Sequence, residues 1–106
     1  MIEVSRIKNQ QGNTIGFQCK GHAGYARHGK DIVCAAVSAL VVNTVNSIEE
    51  FTEDKFSYAQ EEKSGLAEFI ITSDVSKEAS LLMESLFLGL KNIEHDYGKR
   101  FISVKA

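Results

Sequence analysis

The stretch GHAGYARHGKDIVCAAVSAL, residues 21–40, organises the reading of this chain. Its first half is a loop punctuated by Gly21, Gly24 and Gly29, and its second half is an apolar run that opens directly behind Asp31. Asp31 is a good N-cap, because a short carboxylate accepts from the backbone N–H groups that the first helical turn leaves unpaired. A helix is therefore expected from Ile32 to about Thr52, with an inner stripe of Val33, Val37, Leu40, Val41, Thr44, Ile48 and Phe51. Apolar residues also spill onto its flanks, so this helix should be deeply covered.

On the N-terminal side, residues 2–8 and 14–20 read as two strands joined around Asn9-Gln10-Gln11-Gly12-Asn13. Ile15, Phe17 and Cys19 alternate with Gly16, Gln18 and Lys20, which predicts one buried and one wet face. On the C-terminal side, residues 56–62 and 66–72 form a second hairpin around Lys63-Ser64-Gly65. A second helix is expected from near Asp74, its core stripe stepping through Val75, Ala79, Leu82, Leu86, Leu90, Ile93 and Tyr97. Leu81 and Leu88 lie off that stripe, as ordinary exposed leucines or as part of a dimer contact. Gly98 suits the helix C-terminus, and Phe101–Lys105 closes the chain as a strand. The order ββαββαβ, with hairpins wherever strands are consecutive, predicts a two-layer α+β domain: a largely antiparallel sheet with both helices on one face.

A length of 106 residues fits a single domain over residues 1–106, with one core. The 43% hydrophobic and 25% charged fractions are those of an ordinary globular protein, and the net charge of −2 leaves no basic footprint for nucleic acid. No positive segment leads into an apolar one at the N-terminus, and Ile32–Val42 is too short to span a bilayer, so no membrane partner is expected. Two cysteines without a secretion signal point to reduced thiols in the cytoplasm.

With Asp31 as cap, Cys34 is the third helical residue, beside unpaired N–H groups and the positive end of the helix dipole. Such a position, or a neighbouring imidazolium, lowers a thiol pKa from about 8.5 to roughly 3.5–7.5 and makes the sulfur a nucleophile. The competing reading is a small core hydrophobe ahead of Ala35-Ala36-Val37. Cys19, on the inner strand face, is expected to be inert. A nucleophilic sulfur needs a base, and His22 and His28 both lie in the adjoining loop; spacing does not choose between them. Asp31 has two available roles, capping the helix and orienting the imidazole.

Two other chemistries use the same residues. Cys19, His22, His28 and Cys34 are four zinc-ligand types, but C-x₂-H-x₅-H-x₅-C fits no common finger, so no metal or cofactor is assigned. The glycine-rich loop with Arg27 and Lys30 could instead hold an anion at the helix start, a non-catalytic binding module that would tolerate replacement of Cys34. Gln60-Glu61-Glu62-Lys63 reads as a solvated hairpin tip.

GHAGYA followed by DIVCAAVSAL resembles the ribosomal-processing cysteine protease family, Prp, and the likeness extends over most of the chain. The resemblance implies that Cys34 is the nucleophile and His22, rather than His28, the base, with Asp31 a third member. It implies a small α+β domain that forms homodimers. It also implies the substrate: the precursor of large-subunit ribosomal protein twenty-seven, whose short N-terminal extension ends beside paired aromatic residues. Gly21, Gly24 and Tyr25 then belong to a loop that closes over the substrate and completes the dyad. On that view a β-branched residue at Gly21 cripples turnover and leaves the melting temperature nearly unchanged.

Overall fold

The structure, a computed structural model, describes residues 1–105. The strands are β1 (Ile2–Lys8), β2 (Thr14–Lys20), β3 (Phe56–Glu61), β4 (Leu66–Ile71) and β5 (Ile102–Lys105). The helices are α1 (Ile32–Phe51) and α2 (Lys77–Tyr97), and the expected ββαββαβ order holds. The strands form one sheet in the order β3-β4-β2-β1-β5. Neighbours are antiparallel except β1 and β5, which pair in parallel with Ile2 opposite Ile102 and Val4 opposite Val104.

This topology explains the two layers. Given these pairings, α1 joins two strands of the same sense, β2 and β3, and so does α2, between β4 and β5. The two crossovers travel in opposite directions along the sheet and start from strands of opposite sense. Right-handed connections of that kind lay both helices on the same face. The register agrees: Val4 opposes Cys19, Phe17 opposes Phe69, and Tyr58 opposes Phe69 from the other side, all directed to the covered face. On the open face Gln18 opposes Glu68, and their side chains are hydrogen-bonded at 2.8 Å.

Three fully buried phenylalanines mark the middle of the core. Phe17 stacks on Phe69 with ring centroids 5.2 Å apart, and Phe87 from α2 meets Phe17 edge-on at 6.5 Å. Arg6 secures the border of the layers, its guanidinium forked onto Glu84 of α2 and lying 4.1 Å above the Phe87 ring. Glu94 of α2 accepts from the Val104 N–H at 2.7 Å and so occupies part of the β5 edge.

The helices differ from expectation in instructive ways. Helix α1 buries Val33, Val37, Val41, Thr44, Val45 and Ile48, but Leu40 is only half-buried and Phe51 is 73% exposed. A two-layer domain covers one stripe of a helix, so Ile32 and Val42 also face outward and α1 is not deeply covered. At twenty residues α1 is long and apolar enough to cross a bilayer by length and composition, beyond what Ile32–Val42 alone implies; here its buried stripe belongs to the core. Helix α2 starts at Lys77 rather than near Asp74, because Ser76 is the cap: its Oγ accepts from the Ala79 N–H, and its own N–H is held by Asp54. Met83 and Phe87 join Ala79, Leu86 and Leu90 in the core, whereas Leu82 and Ile93 are partly buried and Tyr97 is 39% exposed. Leu81 and Leu88 face outward.

Gly16 is required by close approach, since a Cβ there would collide with the Phe69 carbonyl oxygen of β4. Gly16→Ala must spread β2 from β4 and is expected to cost about 1–3 kcal/mol. A urea midpoint equal to that of the parent protein would contradict this packing.

Candidate active site

Asp31 is the centre of the local architecture. Its Oδ1 accepts from the Val33 and Cys34 N–H groups, both at 3.0 Å, which caps α1. Its Oδ2 accepts from the N–H of Tyr25 at 3.0 Å and of Ala26 at 3.4 Å, which ties the preceding loop to the helix start. Desolvation opposes ionisation of this carboxyl most strongly, but the four N–H bonds together outweigh it and hold the pKa below the ordinary value. No oxygen of Asp31 is hydrogen-bonded to either loop histidine.

Cys34 lies on the first turn of α1, half-buried, and its Sγ accepts from the Ala23 N–H at 3.2 Å. The thiol pKa is raised, contrary to the expectation of a primed thiolate. Burial is the largest cause; the Ala23 N–H works against it, and the nearby Asp31 carboxylate adds to it. Burial thus outweighs the one N–H bond to the sulfur, and the carboxylate that caps the helix reinforces it. Cys19 is buried among core side chains, which pushes its thiol up to about 12.

His22 precedes the Ala23 N–H that touches the sulfur, so its Cα lies within about 5.6 Å of Sγ. Its ring is directed elsewhere: Nε2 meets the Lys63 carbonyl oxygen at 3.1 Å. His28 reaches the same hairpin from further out, with Nε2 3.7 Å from Glu62 and both side chains 85% exposed. Of the two histidines, His22 is thus the one whose backbone adjoins the thiol.

The loop is fastened rather than slack. Gly21 donates its N–H to the Ser64 carbonyl at 3.2 Å and has φ +96°. A Cβ at Gly21 would strike the Met1 carbonyl, and one at Gly65 would strike the Gly21 carbonyl. A β-branched residue at Gly21 should therefore lower the melting temperature as well as any activity. Gly24 borders open space along the cleft. Tyr25 points away from the cleft lining, its ring edge-on to Tyr97 at 5.6 Å and to Phe101 at 5.1 Å, and it anchors the loop.

Between α1, this loop and the β3–β4 hairpin runs a cleft of about 870 Å³. Cys34, Val37, Ser38 and Val41 line it from α1, Cys19, Tyr58 and Ala67 from the sheet, and His22, Glu61 and Glu62 from the loop and hairpin. The Tyr58 hydroxyl is buried without a hydrogen-bond partner. Tyr58 and the Lys63 carbonyl are parts of the site that sequence reasoning did not find. Alternation could have directed Tyr58 inward; a main-chain oxygen at a turn carries no side-chain signature. Among the described residues no three His, Cys, Asp or Glu side chains converge as a metal site.

A half-buried sulfur, a histidine on the adjoining segment and an open cleft are the parts a thiol hydrolase requires. Residues 1–102 match the family model described as cysteine protease Prp, and the chain belongs to that family of cysteine proteases. It is 31% identical over 101 residues to the ribosomal processing cysteine protease Prp of Bacillus subtilis, covering 92% of this chain and 90% of that protein. It is 28% identical over 99 residues to the same-named protease of Staphylococcus aureus, covering 93% of both. The crystal structure of the S. aureus protease with a covalently linked product peptide superposes with a TM-score of 0.90 at 28% identity, over 99% of this chain and 98% of that one. The S. aureus structure with a substrate peptide gives 0.84 at 27% identity, with the same coverage.

Alkylation with iodoacetamide is expected to place the Cys34 midpoint above the ordinary thiol value of about 8.5. Asp31→Asn, which keeps a capping oxygen and removes the charge, should move that midpoint down. Asp31→Ala should also cost about 0.5–2 kcal/mol of stability. A wild-type midpoint well below pH 7 would refute this account of the thiol.

Proposed function

We propose that this chain removes the short N-terminal extension from the precursor of large-subunit ribosomal protein twenty-seven, acting in the cytoplasm as a homodimer, with Cys34 as nucleophile and His22 as base. The observation that carries this reading is the half-buried Cys34 sulfur in the wall of a peptide-sized cleft. Support comes from the ribosomal processing relatives and from the S. aureus protease with its substrate and its covalently linked product. Leu81 and Leu88, 71% and 63% exposed on α2, offer an apolar surface to a second copy.

The raised thiol pKa favours general-base catalysis over a preformed ion pair as the first step. The extension lies along the cleft with its apolar side chains against Val37 and Val41. His22 takes the Sγ proton as the sulfur bonds to the scissile carbonyl carbon. The Cys34 N–H is committed to Asp31, so it is a poor candidate to hold the oxyanion. The Ala23 N–H, aimed at the sulfur before reaction, is the better one. His22 then protonates the leaving amine, and water hydrolyses the thioester.

The anion-binding alternative is disfavoured, because the Val33 and Cys34 N–H groups it needs already face a carboxylate. A peptide spanning the extension junction tests the proposal. Wild type is expected to cleave it, Cys34→Ala and Cys34→Ser to leave it intact, serine because its alkoxide is far harder to form. Cleavage by the alanine variant would eliminate covalent catalysis, and a monomer by sedimentation equilibrium would remove the homodimer.

A further inference from the structure

A cysteine–histidine pair needs a third group to hold the imidazole in the right tautomer. We infer that in this protein the group is the backbone carbonyl of Lys63, at the tip of the β3–β4 hairpin, which keeps the His22 proton on Nε2 and leaves Nδ1 as the basic nitrogen. The inference rests on the proposed role of His22.

A carbonyl oxygen only accepts, so the ring nitrogen 3.1 Å from it carries the hydrogen. In the neutral ring Nδ1 is then the one atom able to take the thiol proton. The nearest rival is Asp31, and it is saturated: two oxygens accept four backbone N–H groups, about the full capacity of a carboxylate. Glu62 of the adjoining hairpin faces His28 instead.

The hairpin tip is also built to hold its oxygen in place. Gly21 N–H donates to the Ser64 carbonyl, and Gly65 N–H donates to the Glu62 carbonyl at 3.1 Å. The backbones of Gly21 and Gly65 approach so closely that a Cβ at Gly65 would collide with the Gly21 carbonyl. The carbonyl immediately before this junction therefore has a fixed position relative to residue 22. Lys63 is a positioning residue acting through its main chain, and its side chain is free to vary.

The test is spectroscopic and does not depend on turnover. Long-range ¹H–¹⁵N correlation spectra of the ¹⁵N-labelled protein at about pH 8.5, where an unperturbed imidazole is neutral, are recorded for wild type and Cys34→Ala, with His22 assigned by the signal lost in His22→Gln. A single tautomer is expected, with hydrogen on Nε2 and a bare Nδ1. A semisynthetic protein with an ester in place of the Lys63–Ser64 amide has a weaker carbonyl acceptor and unchanged side chains. It should show mixed tautomers and, on the junction peptide, a kcat about tenfold lower with little change in KM. Hydrogen on Nδ1 in wild type, or an ester protein that keeps one Nε2–H tautomer and full kcat, overturns the inference. Failure of wild type to cleave the peptide would count against the protease proposal alone, because the tautomer is read separately.

Discussion

One carboxylate holds this site together. Asp31 accepts two N–H groups from the first turn of α1 and two from the loop before it, so a single side chain starts the helix, sets its entry angle and shapes the cleft wall. The Ala23 N–H reaches the sulfur across the same short segment. Capping by Ser or Thr would satisfy the helix but would offer one oxygen where two are used. The cost is electrostatic: a negative charge beside the thiol disfavours a second one on the sulfur.

On the proposed mechanism the site is closed to chemistry at rest and completed from outside. His22 leans on the hairpin, burial holds the Cys34 thiol pKa up, and the helix-start N–H groups of Val33 and Cys34 face the Asp31 carboxylate. What remains is geometry: a cleft with an apolar wall from α1, a sheet floor containing an unpartnered tyrosine hydroxyl, and one backbone N–H aimed at the Cys34 sulfur. Binding energy from an extended peptide can move His22 a short way, which couples recognition to proton transfer.

Periodicity and capping carried much of this fold to the reader of the sequence. The element order, the Asp31 cap and the burial of Cys19 follow from local patterns that packing did not override. The parallel β1–β5 pairing joins the two ends of the chain, and no local pattern encodes it. Phe51 looked like a core residue by spacing, but it falls in the last helical turn before Thr52, where the chain turns away and nothing covers it. The direction of the Cys34 shift was hidden for another reason. Burial of the sulfur outweighs the Ala23 N–H and is reinforced by the Asp31 carboxylate, and that balance depends on packing rather than on local spacing. Which loop histidine adjoins the sulfur likewise depends on where the hairpin tip lies, forty residues further along.

The uncharged sulfur has a consequence for how the protein ages. Hydroperoxides oxidise the anionic form of cysteine, so on the proposed mechanism Cys34 presents little to them until a peptide fills the cleft. The second sulfur is sealed in the core and equally reluctant to ionise, which leaves no ready partner for an internal disulfide. On that proposal, redox durability arises from the same burial and charge placement that delay the chemistry.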